Sequence, residues 1–155
     1  MINLNITSAT IMIKIVLPIL LAKKKGAIIN LSSVTSLMPF PLLSTFSASK
    51  AYLDFLSRIL QNEYSSQGIA IQTLYPAGTY TGMLSNTFKD VKPGIFIPQT
   101  DQYVANAIKT LGFSSSTTGY WPHSLQVLFT EKFMKPCIVK LMLMKHRKNA
   151  MDENK

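Results

Sequence analysis

The sequence contains one cysteine and two histidines, and this shortage excludes two classes of protein. Cys137 has no partner for a disulfide within the 155 residues, so a small fold stapled by disulfides is excluded. His123 and His146 lie far apart in the sequence and lack the companions of a metal site. We expect no bound metal, and we interpret His123 as a structural residue or one near a ligand mouth.

Acidic residues are also few, with seven against 16 basic residues and a net charge of +9. The basic residues form two clusters, at residues 23–25 and 140–148. Cations at residues 23–25 suit the C-terminal end of a helix. A nucleic-acid-binding protein would interleave basic residues with exposed aromatic ones or contain a known module. Neither pattern is present, so we expect no nucleic-acid partner.

A glycine-rich phosphate-binding turn is missing. The seven glycines form neither Gly-x-Gly-x-x-Gly nor Gly-x-x-x-Gly-x-Gly. Such a turn lets backbone N–H groups and a helix N-terminus receive the pyrophosphate of a dinucleotide. We therefore expect no bound NAD(H) or NADP(H) in this form of the chain.

The apolar stretch at residues 11–22 is short and interrupted. It is twelve residues long and contains Lys14 and Pro18, whereas a membrane span needs about 20 apolar residues. Secretory signals place their charges before the apolar core, and here the lysines follow it. We interpret the stretch as part of a buried helix, with a signal or anchor segment as the alternative.

Apolar spacing predicts one α/β domain. Residues 3–24 are predicted to form an amphipathic helix that is bent by Pro18 and ended by Gly26. Its predicted core stripe is Ile6, Ala9, Ile13, Val16, Leu17 and Leu20. Residues 100–111 are predicted to form a later helix.

A strand–helix–strand unit lies between those helices. Residues 27–32 and 69–75 are β-branched runs bounded by turn residues, which predicts buried parallel strands. Residues 45–67 are predicted to form the crossover helix, capped by Gly68. The predicted core stripe of that helix is Ala48, Ala51, Phe55, Ile59 and Leu60. A crossover of about 20 residues between parallel strands predicts a right-handed βαβ unit.

The spacing of Ser33, Phe46 and Lys50 is typical of an oxidoreductase site in which one residue differs. Positions 46 and 50 are i and i+4 on a helix, so both side chains lie on one face. A phenol at position 46 would have its pKa lowered by the lysine ammonium and would exchange a proton with a carbonyl or alcohol. Phenylalanine has no ionisable proton, so Phe46 removes that chemistry. A hydroxyl from Tyr75 or Tyr80 is the alternative proton source.

These residues resemble the signature of the short-chain dehydrogenase/reductase family, a serine followed by Tyr-x-x-x-Lys. The resemblance places Ser33 at the substrate-polarising serine, Lys50 at the lysine that holds the nicotinamide ribose, and Phe46 at the catalytic tyrosine. It also places Asn5 at the asparagine that supports a proton-relay water.

The turn at residues 76–81 resembles the family's turn over the nicotinamide amide. It matches that turn at Pro76 and Thr81. The resemblance therefore implies that Pro76, Thr79, Thr81 and Lys50 are the cofactor-binding positions.

Further stretches are similar to one branch of the family, the 17-beta-hydroxysteroid dehydrogenases of type 3 and type 12. Residues 39–44 and 51–58 carry that similarity. Residues 46–54 and 117–124 look most like a relative in the branch that also has phenylalanine at the tyrosine position.

The resemblance covers about residues 1–130 and implies the C-terminal half of a Rossmann-type three-layer α/β fold with a parallel sheet. We expect the chain to be a fragment that lacks the nucleotide-binding half: a short isoform, a partial gene model or a decayed copy. Residues 131–155 form a predicted tail, of which residues 136–148 are basic and amphipathic. That pattern fits a membrane surface, and an ordinary C-terminal helix of the family is the equal alternative.

The resemblance implies a catalytically inactive hydroxysteroid dehydrogenase-like protein that binds a steroid or fatty-acyl ligand. The alternative is a truncated record of an NAD(P)-dependent 17-beta-hydroxysteroid dehydrogenase or 3-oxoacyl-CoA reductase, whose full-length family uses NADP(H) or NAD(H). The implied location is the mitochondrion, with the endoplasmic reticulum membrane as the alternative. A third hypothesis is a small membrane-surface adaptor that uses the tail. Apolar faces left without neighbours predict a homo-oligomer.

Overall fold

The computed structural model describes residues 1–38, 40, 42–87, 90–134 and 144. Within them the helices are α1 (Ser8–Lys23), α2 (Ser44–Tyr64), α3 (Gly82–Thr87), α4 (Thr100–Ile108) and α5 (Trp121–Phe129). The strands are β1 (Gly26–Leu31), β2 (Ile69–Leu74) and β3 (Ser116–Thr117). Short π-helical turns precede α1 at Asn3–Thr7 and follow α5 at Thr130–Met134, and 3-10 turns occupy Val34–Ser36 and Ser65–Gln67.

The three strands form one parallel sheet in the order β1-β2-β3. β1 and β2 pair over their whole length, from Gly26 opposite Ile69 to Leu31 opposite Leu74. Since α2 connects these two parallel strands, the predicted α/β architecture and strand–helix–strand order are confirmed. The core between sheet and helices is built on Ile13, Leu17, Ile69 and Ile71.

Gly26 and Gly68 each lie just before or at the start of a strand, β1 and β2 respectively. Gly68 has a positive φ of 79° and follows α2, as its predicted capping role requires. The prediction that Gly26 ends α1 is wrong, because Lys24 takes the left-handed conformation there, with φ 51°. Gly26 instead opens β1, where a Cβ atom would lie only 2.6 Å from a methyl carbon of Leu20.

The predicted core stripe of α2 is largely wrong. Phe55 and Ile59 are 61% and 41% exposed, and Ala48 is exposed as well, although Leu60 is half-buried against the core. The buried face of the helix carries Ser49, Leu53, Asp54 and Ser57. Its polar groups are satisfied internally: the Ser57 hydroxyl donates to the Leu53 carbonyl (2.6 Å) and accepts from the amide of Asn30 (2.8 Å). Ser49 and Ser57 therefore face the sheet beside Leu53, while the larger apolar side chains of Phe55 and Ile59 face outward.

The predicted core stripe of α1 is confirmed, because Ile13 and Leu17 are buried and the other members are half-buried. The opposite face exposes Ile11, Met12, Ile15 and Ile19. Burial of the whole helix is therefore only partly observed. With the preceding turn, α1 makes a continuous helix of 21 residues, Asn3–Lys23, in which an 18-residue stretch has mean hydropathy 1.9 and is 6% buried. By length and composition it is the one helix among the described residues that is able to cross a membrane, so the twelve-residue count from the sequence was too short.

Later elements differ from prediction in detail. α4 ends at Ile108, three residues before the predicted end, and a run of turns follows it. β3, α3 and α5 were not predicted from the sequence. The basic amphipathic stretch at residues 136–148 lies, apart from Met144, outside the described residues, as do Cys137, His146 and positions 39 and 41.

Candidate functional site

An apolar cavity of about 490 Å³ opens at the carboxyl ends of β1 and β2. This is the end of a parallel sheet at which ligands bind in open α/β folds. The candidate residues that line it are Ser33, Phe46, Lys50, Pro76, Thr79 and Thr81. The fold therefore brings together six of the seven positions selected from the sequence, and Asn5 lies outside the lining.

Ser33 lies just beyond the end of β1, at the start of the 3-10 turn Val34–Ser36. Its hydroxyl oxygen accepts hydrogen bonds from the backbone N–H (3.2 Å) and the hydroxyl (3.1 Å) of Thr35. The hydroxyl is therefore fixed as an acceptor at the N-terminus of the turn, with its own proton available to a ligand in the cavity.

Phe46 and Lys50 lie one turn apart near the start of α2, as predicted. The Lys50 ammonium lies 5.7 Å from the centroid of the Phe46 ring, within the range of a cation–π interaction. It donates a 2.8 Å hydrogen bond to the carbonyl of Leu31, at the end of β1. Burial lowers the pKa of Lys50. The pair therefore presents a cation and an aromatic face to the cavity, and neither Phe46 nor the bonded carbonyl can give up a proton.

Asn5 supports the site from behind. It lies in the π-helical turn before α1, and its amide donates a 2.9 Å hydrogen bond to the hydroxyl of Ser49. Ser49 in turn donates to the carbonyl of Phe46 at 2.7 Å. The chain from Asn5 through Ser49 fixes the first turns of α2 relative to α1.

The turn after β2 forms a second wall of the cavity, through Pro76, Ala77, Gly78 and Thr79. The Pro76 carbonyl accepts from the N–H of Val34 (3.1 Å), which joins this turn to the segment that carries Ser33. His123, at the start of α5, contacts the turn from the other side and is fully buried. The structural interpretation of His123 therefore fits better than a place at an open mouth.

The tyrosines considered as substitutes for the missing phenol do not line the cavity. Tyr75 donates to the carboxylate of Asp54, and its pKa is raised by burial and by that carboxylate. Tyr80 is also absent from the lining. Tyr103 of α4, which sequence analysis missed, is the tyrosine in the lining, but its hydroxyl donates to the Thr118 carbonyl (3.0 Å) and burial raises its pKa to about 12. Its position in a mixed polar and apolar helix gave no sequence signal for this role.

The residues present fit only one end of a dinucleotide. Lys50, Pro76, Thr79 and Thr81 line the cavity where a nicotinamide ribose and amide would lie. The sequence has no glycine-rich turn for the pyrophosphate. The site is therefore incomplete for NAD(P), and we derive no hydride transfer from it. Among the described residues no cluster of three metal-ligating side chains occurs.

Comparison with known proteins agrees with this geometry. Residues 1–92 match the family described as short chain dehydrogenase. The chain is 45% identical over 130 residues to inactive hydroxysteroid dehydrogenase-like protein 1 of Homo sapiens, covering 84% of the chain and 39% of that protein. It is 41% identical over 125 residues to very-long-chain 3-oxoacyl-CoA reductase of Homo sapiens, covering 81% of the chain and 39% of that protein.

A solved structure shows the same fold. A short-chain dehydrogenase from Sphingobium yanoikuyae in complex with NADPH superimposes with a TM-score of 0.66 and 32% identity, over 76% of this chain and 46% of that one. The chain spans about two fifths of the length of the two human relatives. With a family match over more than half of its residues, the chain belongs to the short-chain dehydrogenase family.

Proposed function

We propose that this chain is a catalytically inactive, hydroxysteroid dehydrogenase-like member of the family that binds a steroid or fatty-acyl ligand without converting it. One observation carries the proposal: Phe46, with no ionisable proton, is the aromatic residue that faces the Lys50 ammonium in the cavity. The name of the human relative, which contains the word inactive, supports the same interpretation.

The tyrosines in and near the cavity do not replace the lost phenol. A general acid must lie within hydrogen-bonding reach of the reacting atom and must be able to release its proton. The Tyr103 hydroxyl is bonded to a carbonyl and has a raised pKa, and Tyr75 is bonded to Asp54 outside the lining. Ser33 remains as a hydrogen-bond donor that would orient a ligand oxygen.

The ligand class follows from the character of the cavity. Its walls are mostly apolar, with Ile29, Leu31, Leu84, Val104 and Ile108 among them. Its volume of about 490 Å³ lies in the range of about 300–1,000 Å³ that is typical of small-molecule sites. The Ser33 hydroxyl and the Lys50 ammonium are polar groups in the lining that would fix the orientation of one oxygen-bearing end. A sterol or an acyl chain fits this chemistry.

The test restores the missing half of the site. A chimera would join the nucleotide-binding half of human very-long-chain 3-oxoacyl-CoA reductase to this chain, with either Phe46 or Phe46→Tyr. Because a placed general acid contributes about 10²–10⁴-fold, the Phe46→Tyr chimera should reduce a 3-keto substrate faster by about that factor. Equal rates in the two chimeras would show that the proton comes from elsewhere and that the proposal is wrong.

The alternative is that the chain is the C-terminal part of an NAD(P)-dependent reductase of 17-beta-hydroxysteroids or 3-oxoacyl-CoA. The similarity to very-long-chain 3-oxoacyl-CoA reductase, and the coverage of about two fifths of its length, favour this alternative. The sequence of the transcript upstream of Met1 decides it, because an in-frame glycine-rich strand and turn would supply the phosphate site.

Location and partners complete the proposal. We place the protein in the mitochondrion, as implied by resemblance, with the endoplasmic reticulum membrane as the alternative. A membrane surface is the proposed partner of the basic tail, and a second copy is the proposed partner of the exposed apolar faces of α1 and α2. Fluorescent tagging of the natural protein with organelle markers tests the location.

A further inference from the structure

His123 is a fully buried polar side chain whose role the proposed function does not use. It lies in the first turn of α5 and has no exposed surface. Its ring lies between two tyrosines: Tyr103 at 5.6 Å between centroids, and Tyr120 at 5.1 Å in an edge-on arrangement. Burial in this aromatic setting makes the loss of any hydrogen bond to the ring expensive.

The ring makes two hydrogen bonds to one short piece of backbone. Nδ1 lies 3.2 Å from the N–H of Ala77 and accepts from it, while Nε2 lies 3.2 Å from the carbonyl of Gly78 and donates to it. This pair of bonds requires the neutral imidazole with its proton on Nε2. A second proton, on Nδ1, would point at the N–H of Ala77, and two donors would then oppose each other.

The bonds matter because the turn at residues 76–80 leaves the sheet. Neighbouring backbone groups have backbone partners: the Pro76 carbonyl bonds to Val34 and the Tyr80 N–H to Pro98. The Ala77 N–H and the Gly78 carbonyl bond instead to the imidazole. Ala77 and Gly78 also line the ligand cavity, so the side chain of His123 fixes part of the cavity wall from behind.

We propose that His123 is the positioning residue of this cavity: the neutral imidazole holds the turn at Ala77 and Gly78 in its ligand-binding conformation, and protonation of the ring releases the turn and weakens binding. The inference rests on the proposed ligand binding and adds to it a regulation by pH. Histidine is the side chain whose ordinary titration lies between about pH 5 and pH 8, and because burial lowers the pKa of His123, we expect the release toward the acid end of that range.

The electrostatic surroundings of the ring favour this behaviour. Burial lowers the pKa of His123 more than the nearby carbonyls of Gly78 and Phe96 raise it. The groups that face the ring from α4 and from the segment before α5 are the tyrosines Tyr103 and Tyr120. Among the described residues no carboxylate or cationic side chain forms a hydrogen bond or ion pair with the ring. The hydrogen bond from the N–H of Ala77 to Nδ1 therefore forms only while the ring is neutral, whereas Nε2 donates to the Gly78 carbonyl in both protonation states.

The test compares variants of the 155-residue chain with parinaric acid, a fluorescent fatty acid, as the probe. Its dissociation constant would be measured at about pH 7.5 and about pH 5.5, and circular dichroism would confirm that each sample is folded. The variants are His123→Asn, which keeps an acceptor and a donor but does not titrate, and His123→Phe, which keeps the aromatic packing alone. Ser124→Ala is the matched control, since Ser124 bonds to Thr118 and does not line the cavity.

The unmodified chain and Ser124→Ala should lose affinity on acidification by less than about tenfold, equivalent to less than about 1.4 kcal/mol, because the lowered pKa of His123 leaves the ring only partly protonated at the lower pH. His123→Asn should bind with the same affinity at both values of pH, and His123→Phe should bind weakly at both. Hydrogen exchange of residues 74–80 at neutral pH, corrected for intrinsic rates, provides a readout without ligand. Protection of the Ala77 amide should be lost in His123→Phe and kept in Ser124→Ala.

The outcomes separate this inference from the proposed function. If His123→Asn shows the same pH dependence as the unmodified chain, or if Ala77 exchange is equal in all variants, the role of His123 is refuted. In a third outcome no variant binds the probe, but hydrogen exchange of the Ala77 amide still depends on the residue at position 123. The ligand proposal then fails, and the positioning of the turn by His123 stands.

Discussion

The hydroxyl of Tyr75 donates a 2.5 Å hydrogen bond to the carboxylate of Asp54, and Asp54 also pairs with Arg58 at 3.1 Å. Tyr75 and Asp54 are both 8% exposed. The bond joins the end of β2 to the middle of α2, and it commits the tyrosine closest in sequence to the cavity turn to a structural role.

Tyr75→Phe should therefore lower the free energy of unfolding. Removing the hydroxyl leaves a buried carboxylate oxygen without its donor, which costs about 1–3 kcal/mol. Urea denaturation of the chimera with a restored nucleotide-binding half would measure the loss. Tyr52→Phe is the control, because the hydroxyl of Tyr52 bonds to Thr10 at an exposed position. Equal stability of Tyr75→Phe and the parent would show that the bond contributes nothing.

The isolated chain should not bind NADPH. Lys50 and the turn at residues 76–81 are present, but the sequence has no glycine-rich turn for the pyrophosphate. Micromolar binding would require about 8 kcal/mol from half of a site. Titration followed by NADPH fluorescence should show no saturable change, and the chimera is the positive control. A micromolar dissociation constant for the isolated chain would contradict the incomplete-site interpretation.

The isolated chain should self-associate through the exposed faces of α1 and α2. Ile15 and Phe55 are 56% and 61% exposed, and the hydrogen bond between Thr10 and Tyr52 connects the two helices. Exposed apolar side chains on neighbouring helices favour association. Light scattering after size exclusion should show oligomers, and Phe55→Lys should shift the distribution toward the monomer.

Phe113→Lys is the matched control, because Phe113 is 90% exposed and follows α4 rather than lying on these faces. An unmodified chain that is monomeric and melts sharply and cooperatively would argue against both self-association and the fragment interpretation.

The basic tail should bind anionic membranes. Each basic residue near an anionic surface contributes about 1 kcal/mol, so reversing two charges should weaken binding by more than about tenfold. Lys145→Glu combined with Arg147→Glu would be tested by flotation with phosphatidylserine-containing vesicles. The control is Lys23→Glu combined with Lys24→Glu, which reverses the same number of charges at the end of α1. If both pairs reduce binding equally, general charge explains it and the tail has no special role.

The sequence alone was sufficient for the strand–helix–strand unit and for most of the candidate site. The alternation of β-branched runs with a helical period predicted β1, α2 and β2, because strand and helix periods differ and depend on near neighbours. The left-handed cap at Gly68 followed from its missing Cβ atom. Ser33 follows the carboxyl end of β1, and Phe46 and Lys50 lie near the start of α2, so all three line one cavity at that edge of the sheet.

Only the tertiary structure decided which faces are buried and which distant residues meet. α2 has apolar residues on more than one side, so periodicity could not tell that the face with Ser49 and Ser57 packs on the sheet. Tyr103 lines the cavity and His123 contacts the turn that forms its wall, and both come from helices much later in the chain. Their roles depend on packing and on backbone groups far along the chain that need partners: the Thr118 carbonyl, 15 residues from Tyr103, and the N–H of Ala77, 46 residues from His123. Such long-range pairing leaves no trace in local spacing.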